Sequence, residues 1–287
     1  MKTSFSIFTL IFLFASVLNA QDYIPKPEDI KQFPTTKTMI VLEPSPISEY
    51  NLTMKEIVPG EWKITQYEFI ESKEFDAKRK DNNLSFVYLV KAKFEKDKSN
   101  AQYLFMSLLL GGSARNLSAM PDLCSVPVAY FEQDEETYVY KLEIFLRFMQ
   151  NHVNLLIDNP KVASKNVVQY YNRNVQKLGG KTLYLLADEL GKDVNTEAKI
   201  KKFYAGPIKI VTKDEIAKAI ADKDPTVVFL HKVGPKRKTQ ANSRCYKVMV
   251  GAADAQFYYF DYHKINDKKP DGFLAADFKK LAKFNKK

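Results

Sequence analysis

Glycine is scarce in this chain, 10 of 287 residues, which excludes collagen-like and propeller-type repeats. There are two cysteines, Cys124 and Cys245. They are too few for a disulfide scaffold and too far apart for the C-x-x-C pair of thiol redox chemistry. Histidine occurs three times, as His152, His231 and His263, never as H-x-x-x-H or H-E-x-x-H. A zinc site built from three or four His, Cys or carboxylate ligands has no visible framework, and no metal is expected. G-x-S-x-G, the Walker spacing and G-x-G-x-x-G are all missing, so neither a nucleophile elbow nor a cofactor is read from the motifs. Gly111-Gly112-Ser113 follows an apolar run and reads as a plain loop.

What is present is apolar bulk. Hydrophobic residues make up 45% of the chain, with 20 Phe and 16 Tyr. That is enough to bury one large core or two ordinary ones. At the N-terminus, Lys2 precedes the uncharged run SIFTLIFLFASVL from Ser6, and Asn19-Ala20 follows. A basic start, an apolar stretch and a small residue are the pattern of a secretory signal. The run is short for a membrane span, which needs ~20 apolar residues. Cleavage after Ala20, and a periplasmic or secreted protein without a transmembrane segment in the mature chain, are the expectations.

The net charge is +10, and the excess is uneven. No acid lies between Asp224 and Asp254, while Lys232, Lys236, Arg237, Lys238, Arg244 and Lys247 fall there. In an exported protein these six point to an anionic envelope component or an acidic glycan rather than to nucleic acid. The loop from Gly234 to Arg244 is the expected contact, because binding residues often sit on loops held by a rigid scaffold.

The pattern of strands and helices repeats. KTMIVL from Lys37 and KTLYLL from Lys181 open two stretches that each read β-α-β-α-β-β-β-α. Within them Phe86–Leu89 matches Val227–Leu230, and Tyr103-x-x-Met106 matches Tyr246-x-x-Met249. Lys63-Ile64 matches Lys209-Ile210, and Tyr130-Phe131 matches Tyr259-Phe260. Their collinearity predicts an internal duplication. The expected fold is α/β with mixed sheets in two tandem diverged units; thioredoxin-like units without redox cysteines are the alternative. The expected organisation is a signal peptide at 1–20, an extended linker at 21–36, a first unit at 37–158, a connecting helix at 159–180 and a second unit at 181–287. Thr212 with Glu215 has capping-box spacing and predicts a helix start. The cysteines hold different repeat positions, so no disulfide is expected.

KTLYLLADEL, IKIVTKDEI, FLHKV, CYKVMV and FDYHKI together resemble a family of exported bacterial proteins of unknown function, over residues 172–287. The resemblance implies export and an α/β fold, and it carries no catalytic residue. Along FDYHKI, alternation places Phe257, Tyr259, Asp261 and His263 on one strand face. A histidine held by a carboxylate is a candidate general base, and His231 on the neighbouring run is a third candidate. Two functions follow: a non-catalytic binding or structural protein that meets an anionic partner through the basic loop, and an exported hydrolase centred on Asp261 and His263.

Overall fold

A computed structural model describes residues 24–131, 133–164, 166–235 and 241–284. The expected signal peptide, and Lys236, Arg237 and Lys238 of the basic loop, lie outside the described residues.

The segment expected to be an extended linker contains a helix, α1 (Pro27–Gln32). Proline suits the first helical position, whose N–H has no intrahelical partner. The backbone N–H of Lys26 is satisfied by Asp29 Oδ2 at 2.8 Å, and Ile30 and Phe33 are buried. Three prolines therefore open and close a short helix here instead of extending the chain.

Two five-stranded mixed sheets follow, with the same strand order. The first unit runs β1 (Lys37–Leu42), α2 (Glu49–Glu61), β2 (Tyr67–Glu71), α3 (Ser72–Lys78), β3 (Leu84–Lys93), β4 (Gln102–Leu110), β5 (Asp122–Tyr130) and α4 (Leu142–Asp158). After α5 (Val167–Asn172) the second runs β6 (Thr182–Leu186), α6 (Glu197–Ile200), β7 (Ile208–Val211), α7 (Lys213–Ala221), β8 (Val227–Val233), β9 (Arg244–Gly251), β10 (Phe257–Lys264) and α8 (Ala275–Phe284). The sheets are ordered β2-β1-β3-β4-β5 and β7-β6-β8-β9-β10. In each, the first three neighbours are parallel and the last two strands are added antiparallel. Each sheet thus has one strand more than the βαβαββα core of the thioredoxin-like alternative.

The duplication extends to register. Leu89 pairs with Met106, and Leu230 pairs with Met249. Two of the sequence matches do not hold. Lys209-Ile210 lies on β7, whereas Lys63-Ile64 precedes β2. Tyr103 faces Tyr130, but its counterpart Tyr246 faces Tyr262 and not Tyr259. Apolar strand residues with a lysine or tyrosine recur often enough to match by chance.

Right-handed crossovers that move in opposite directions across a sheet, here β1 to β2 and then β2 back past β1 to β3, put their helices on opposite faces. Accordingly Tyr50, Met54 and Val58 of α2 share a core with α4, while Phe75 of α3 lies in the core on the other face. The second sheet repeats this: Ile200 of α6 packs with Phe278 and Leu281 of α8, and Ile216 of α7 lies opposite. Helix α4 serves both sheets. Its Phe145 ring meets His231 of β8 at 4.8 Å, and its Phe148 ring stacks on Phe257 of β10 at 3.5 Å. Arg147 donates to the carbonyls of Ala252 and Ala253.

The expected connecting helix is broken into three pieces, a 3-10 turn at Pro160–Val162, α5, and a second 3-10 stretch at Arg173–Lys177. Asn172 and Asn174 explain the break, because their side chains serve the free edge of β10. Asn172 donates to Phe260 O at 2.9 Å and accepts from Phe260 N at 2.6 Å; Asn174 donates to Phe257 O at 2.9 Å. An edge strand carries unpaired backbone groups, and covering them blocks unwanted pairing. Among the described residues, no helix is long and apolar enough to cross a membrane.

Candidate functional site

Strands β8 and β9 are buried along their whole length, although they carry His231, Lys232, Arg244 and Lys247. A charge buried in this way needs a partner. Lys232 meets Asp271, Lys247 meets Asp277 at 2.6 Å, and Arg244 meets Asp97. Asp97 sits in the β3–β4 turn of the first unit, so the Arg244 pair ties the two units together. Three of the six cations expected to face an anionic partner thus point inward. They were misplaced because a lysine or arginine flanking a basic loop reads as surface, and its carboxylate comes from a distant segment.

The expected cluster on β10 is also rearranged. A β-bulge between Phe257 and Tyr259 moves Phe257 to the other face, where it joins the α4 core. Asp261 and His263 remain on one face but serve different partners. Asp261 Oδ2 accepts from Lys280 at 2.5 Å and from Tyr259 at 2.9 Å. Burial pushes its carboxyl up, but Lys280 and Lys247 outweigh this and hold it low. His263 Nε2 bonds Pro270 O at 2.8 Å, and burial with the nearby Lys247 charge lowers its pKa. His231 does not approach them. Its register partner is Val248, so it faces the α4 side of the sheet. There its Nε2 bonds Pro127 O at 2.9 Å and its Nδ1 lies 3.2 Å from Lys141 Nζ. Burial, reinforced by the Lys141 charge, keeps this imidazole neutral.

Open α/β sheets ordinarily hold ligands beyond the carboxyl ends of their parallel strands. Here both such ends are filled by the protein. After β1, Asn51 bonds the backbone of Glu43 and Ser45, and Ser48 donates to Glu135. After β6 and β8, Glu189 and Lys141 are buried 3.5 Å apart, beside the Lys232–Asp271 pair. The Gly111-Gly112 amides are bound as well, to Leu84 O and Arg79 O. A Cβ on Gly111 would fall 2.1 Å from Asp81 O, so this glycine serves packing.

Open space lies elsewhere, between the edge strands β5 and β10. A cleft of about 510 Å³ is lined there by both units, by α4 and by α5. Phe148, Phe257 and Phe260 give it an aromatic wall, with Tyr171 beside them. Its polar side chains include Asp122, Ser125, His152, Asn172 and Asp261. His152 Nδ1 lies 2.6 Å from the Tyr171 hydroxyl. Burial lowers the His152 pKa to about 4, while a hydrogen bond to the Leu123 carbonyl pulls the other way. The ring is therefore neutral at pH 7, with Nδ1 accepting from Tyr171. The Cys124 thiol is pushed well up by burial and by Asp122, so it is not a nucleophile. Both cysteines are free and buried.

Asp122 is the chemically distinctive group of the cleft. Its Oδ2 accepts from Ser125 Oγ at 2.5 Å, and Ser125 Oγ lies 2.6 Å from Ser107 Oγ. Its Oδ1 is buried and has no hydrogen-bond partner. Burial raises the carboxyl to about 6, against the pull of Ser125 and the Cys124 amide. Asp122 escapes sequence reading because VPVAYF alone reads as the strand, whereas β5 begins four residues earlier. Pro127 supplies the one hint: proline inside a strand marks an edge or a bulge, and both occur here.

Comparison with known protein families, characterised proteins and solved structures finds no match to this chain.

Proposed function

We propose that the protein is an exported, non-catalytic binding protein whose ligand site is the cleft between its two units. The observation that carries the reading is a cleft of about 510 Å³ between the two units, with aromatic walls and two carboxylates, Asp122 and Asp261, in its lining. Small-molecule sites are concave, mostly apolar, supplied with few polar groups and placed where two units meet. Export rests on the N-terminal pattern and on the resemblance of residues 172–287. A hydrolase centred on Asp261 and His263 gains no support, since each is occupied by a different structural partner. An anionic partner is left with Lys236, Arg237 and Lys238, which lie outside the described residues.

The test is co-purification. Protein isolated from its own envelope is denatured, and the released small molecules are identified by mass spectrometry. A stoichiometric compound, lost from a variant carrying Ala163→Trp at the cleft wall, is the expected result. Equal recovery from that variant, with its fold intact by circular dichroism, would overturn the assignment of the site.

A further inference from the structure

We infer that the protein docks on an anionic lipid surface through the lysine-covered face of α6 and α8. This contact is separate from the cleft and goes beyond the binding role proposed above.

Packing builds the face. Ile200 at the end of α6 and Tyr204 just beyond it are buried in one core with Phe278 and Leu281 of α8. Gly191 N donates to Phe273 O at 2.9 Å and Ala275 N donates to Asp193 Oδ2 at 3.1 Å, which ties the segment before α6 to the start of α8. With the apolar residues turned inward, lysines are left outside. Lys192, Lys202, Lys279 and Lys283 are exposed, and Lys199 is half-buried. They are neighbours. Lys199 Nζ donates to Lys192 O at 2.8 Å, and Lys279 Nζ lies 5.0 Å from the ring centre of Phe203, the residue after Lys202. Lys283 follows Lys279 by four positions, which puts both on one helix face.

Little in the protein neutralises them. Residues 191–204 and 275–284 hold seven lysines and three acids. Asp277 is buried on Lys247, while Asp193 and Glu197 accept from the backbone amides of Ala275 and Ile210. Among the described residues, Lys280 is the one lysine of the seven paired with a carboxylate, that of Asp261. The face thus keeps an excess of positive charge that an anionic surface would offset. None of the six cations read from the sequence belongs to it, because it exists only where α6 and α8 come together.

The kind of charge selects the partner. Neither segment contains arginine. A guanidinium fork suits fixed, bidentate recognition of a carboxylate or phosphate, whereas a lysine ammonium is a point charge on a flexible stem. Such charges suit a fluid array of head groups, which rearranges beneath the protein. Each lysine held near an anionic bilayer strengthens binding on the order of fivefold. Phe278 and Leu281 stay in the core, so the contact is with head groups and needs no insertion.

The test is vesicle sedimentation with protein isolated from its own envelope. Vesicles of phosphatidylcholine alone are compared with vesicles in which one third is phosphatidylglycerol. Salt is set at about 0.1 M and then at about 1 M, where the Debye length falls from about 10 Å to about 3 Å. The expected result is sedimentation with the anionic vesicles and not the neutral ones, lost at the higher salt. The variant Lys192→Gln/Lys202→Gln/Lys279→Gln/Lys283→Gln should partition at least about 100-fold more weakly. Lys55→Gln/Lys63→Gln/Lys80→Gln/Lys98→Gln removes the same charge from the first unit and should sediment nearly as well as the parent. If the two variants lose binding equally, the attraction belongs to net charge and the face is not the docking site. If the parent ignores anionic vesicles, or sediments equally with neutral ones, the inference is overturned; retention on immobilised polygalacturonate would then reassign the face to an acidic glycan.

Discussion

At the scale of single residues, the interior of the second unit is organised by charge pairs that a linear reading takes for surface. Breaking a buried pair strands its partner, at a cost of about 3–5 kcal/mol. Asp277→Ala should therefore destabilise by about that amount in urea unfolding, since Lys247 and Asp277 are both nearly inaccessible. The double variant Lys247→Met/Asp277→Leu should recover most of the loss, because a packed apolar pair needs no solvation. Asp122 should behave in the opposite sense. Its carboxyl sits near 6 in the folded protein against an ordinary 3.8. The folded state therefore holds a proton that the unfolded state has released, and stability falls as pH rises from about 4 to about 6. Asp122→Asn escapes that loss. Without ligand it should be more stable than the parent at pH 7.5, by on the order of 1–3 kcal/mol. The gain should close as the pH falls towards 4, which unfolding curves at several pH values will show.

At the scale of elements, legibility followed locality. The start of α7 was readable from Thr212 and Glu215 because the capping box is a contact within one turn. Thr212 N donates to Glu215 Oε2 at 2.9 Å and Glu215 N donates to Thr212 Oγ1 at 3.3 Å. The five-strand order of each unit was readable from alternating apolar runs and their repetition. The helix α1, the broken link around α5 and the early start of β5 were not, because each depends on a partner far along the chain. The link shows this best. Asn172 and Asn174 look like ordinary helix-surface residues until β10 presents its free edge. Asn172→Ala removes two hydrogen bonds to Phe260 and should cost about 1–3 kcal/mol. Hydrogen exchange should show that protection is lost first at the Phe260 amide, ahead of the amides of β8. Of the candidate residues proposed from sequence, His231, Lys232, Arg244, Lys247, Asp261 and His263 hold structural contacts and Asp261 also lines the cleft, Lys236, Arg237 and Lys238 lie outside the described residues, and the other cleft residues carried no motif to find. Asp122 and Ser125 sit together on β5, and only the packing of the two units brings them beside Tyr171 of α5 and Phe257 of β10.

At the scale of the molecule, two copies of one sheet have been joined through a shared helix. Phe145 and Phe148 of α4 reach into the second sheet, while the same helix closes the first. The copies also touch through equivalent residues: Tyr103 and Tyr246 meet edge to face at 5.5 Å, and Tyr103 exchanges hydrogen bonds with the backbone of Arg244. One cooperative unfolding transition is expected for the whole chain. Phe148→Ala should lower the midpoint of that single transition, at a cost of about 3–5 kcal/mol, without splitting it in two. The price of sharing α4 is an imperfect closure between the edge strands, and that gap is the cleft to which we assign function. The most direct test is a crystal structure of the full chain purified from its native source. The account predicts a small molecule carried through purification and bound in the cleft, against Phe148, Phe257 and Phe260. An empty cleft with a compound bound elsewhere, or a cleft filled by the protein's own side chains, would contradict it.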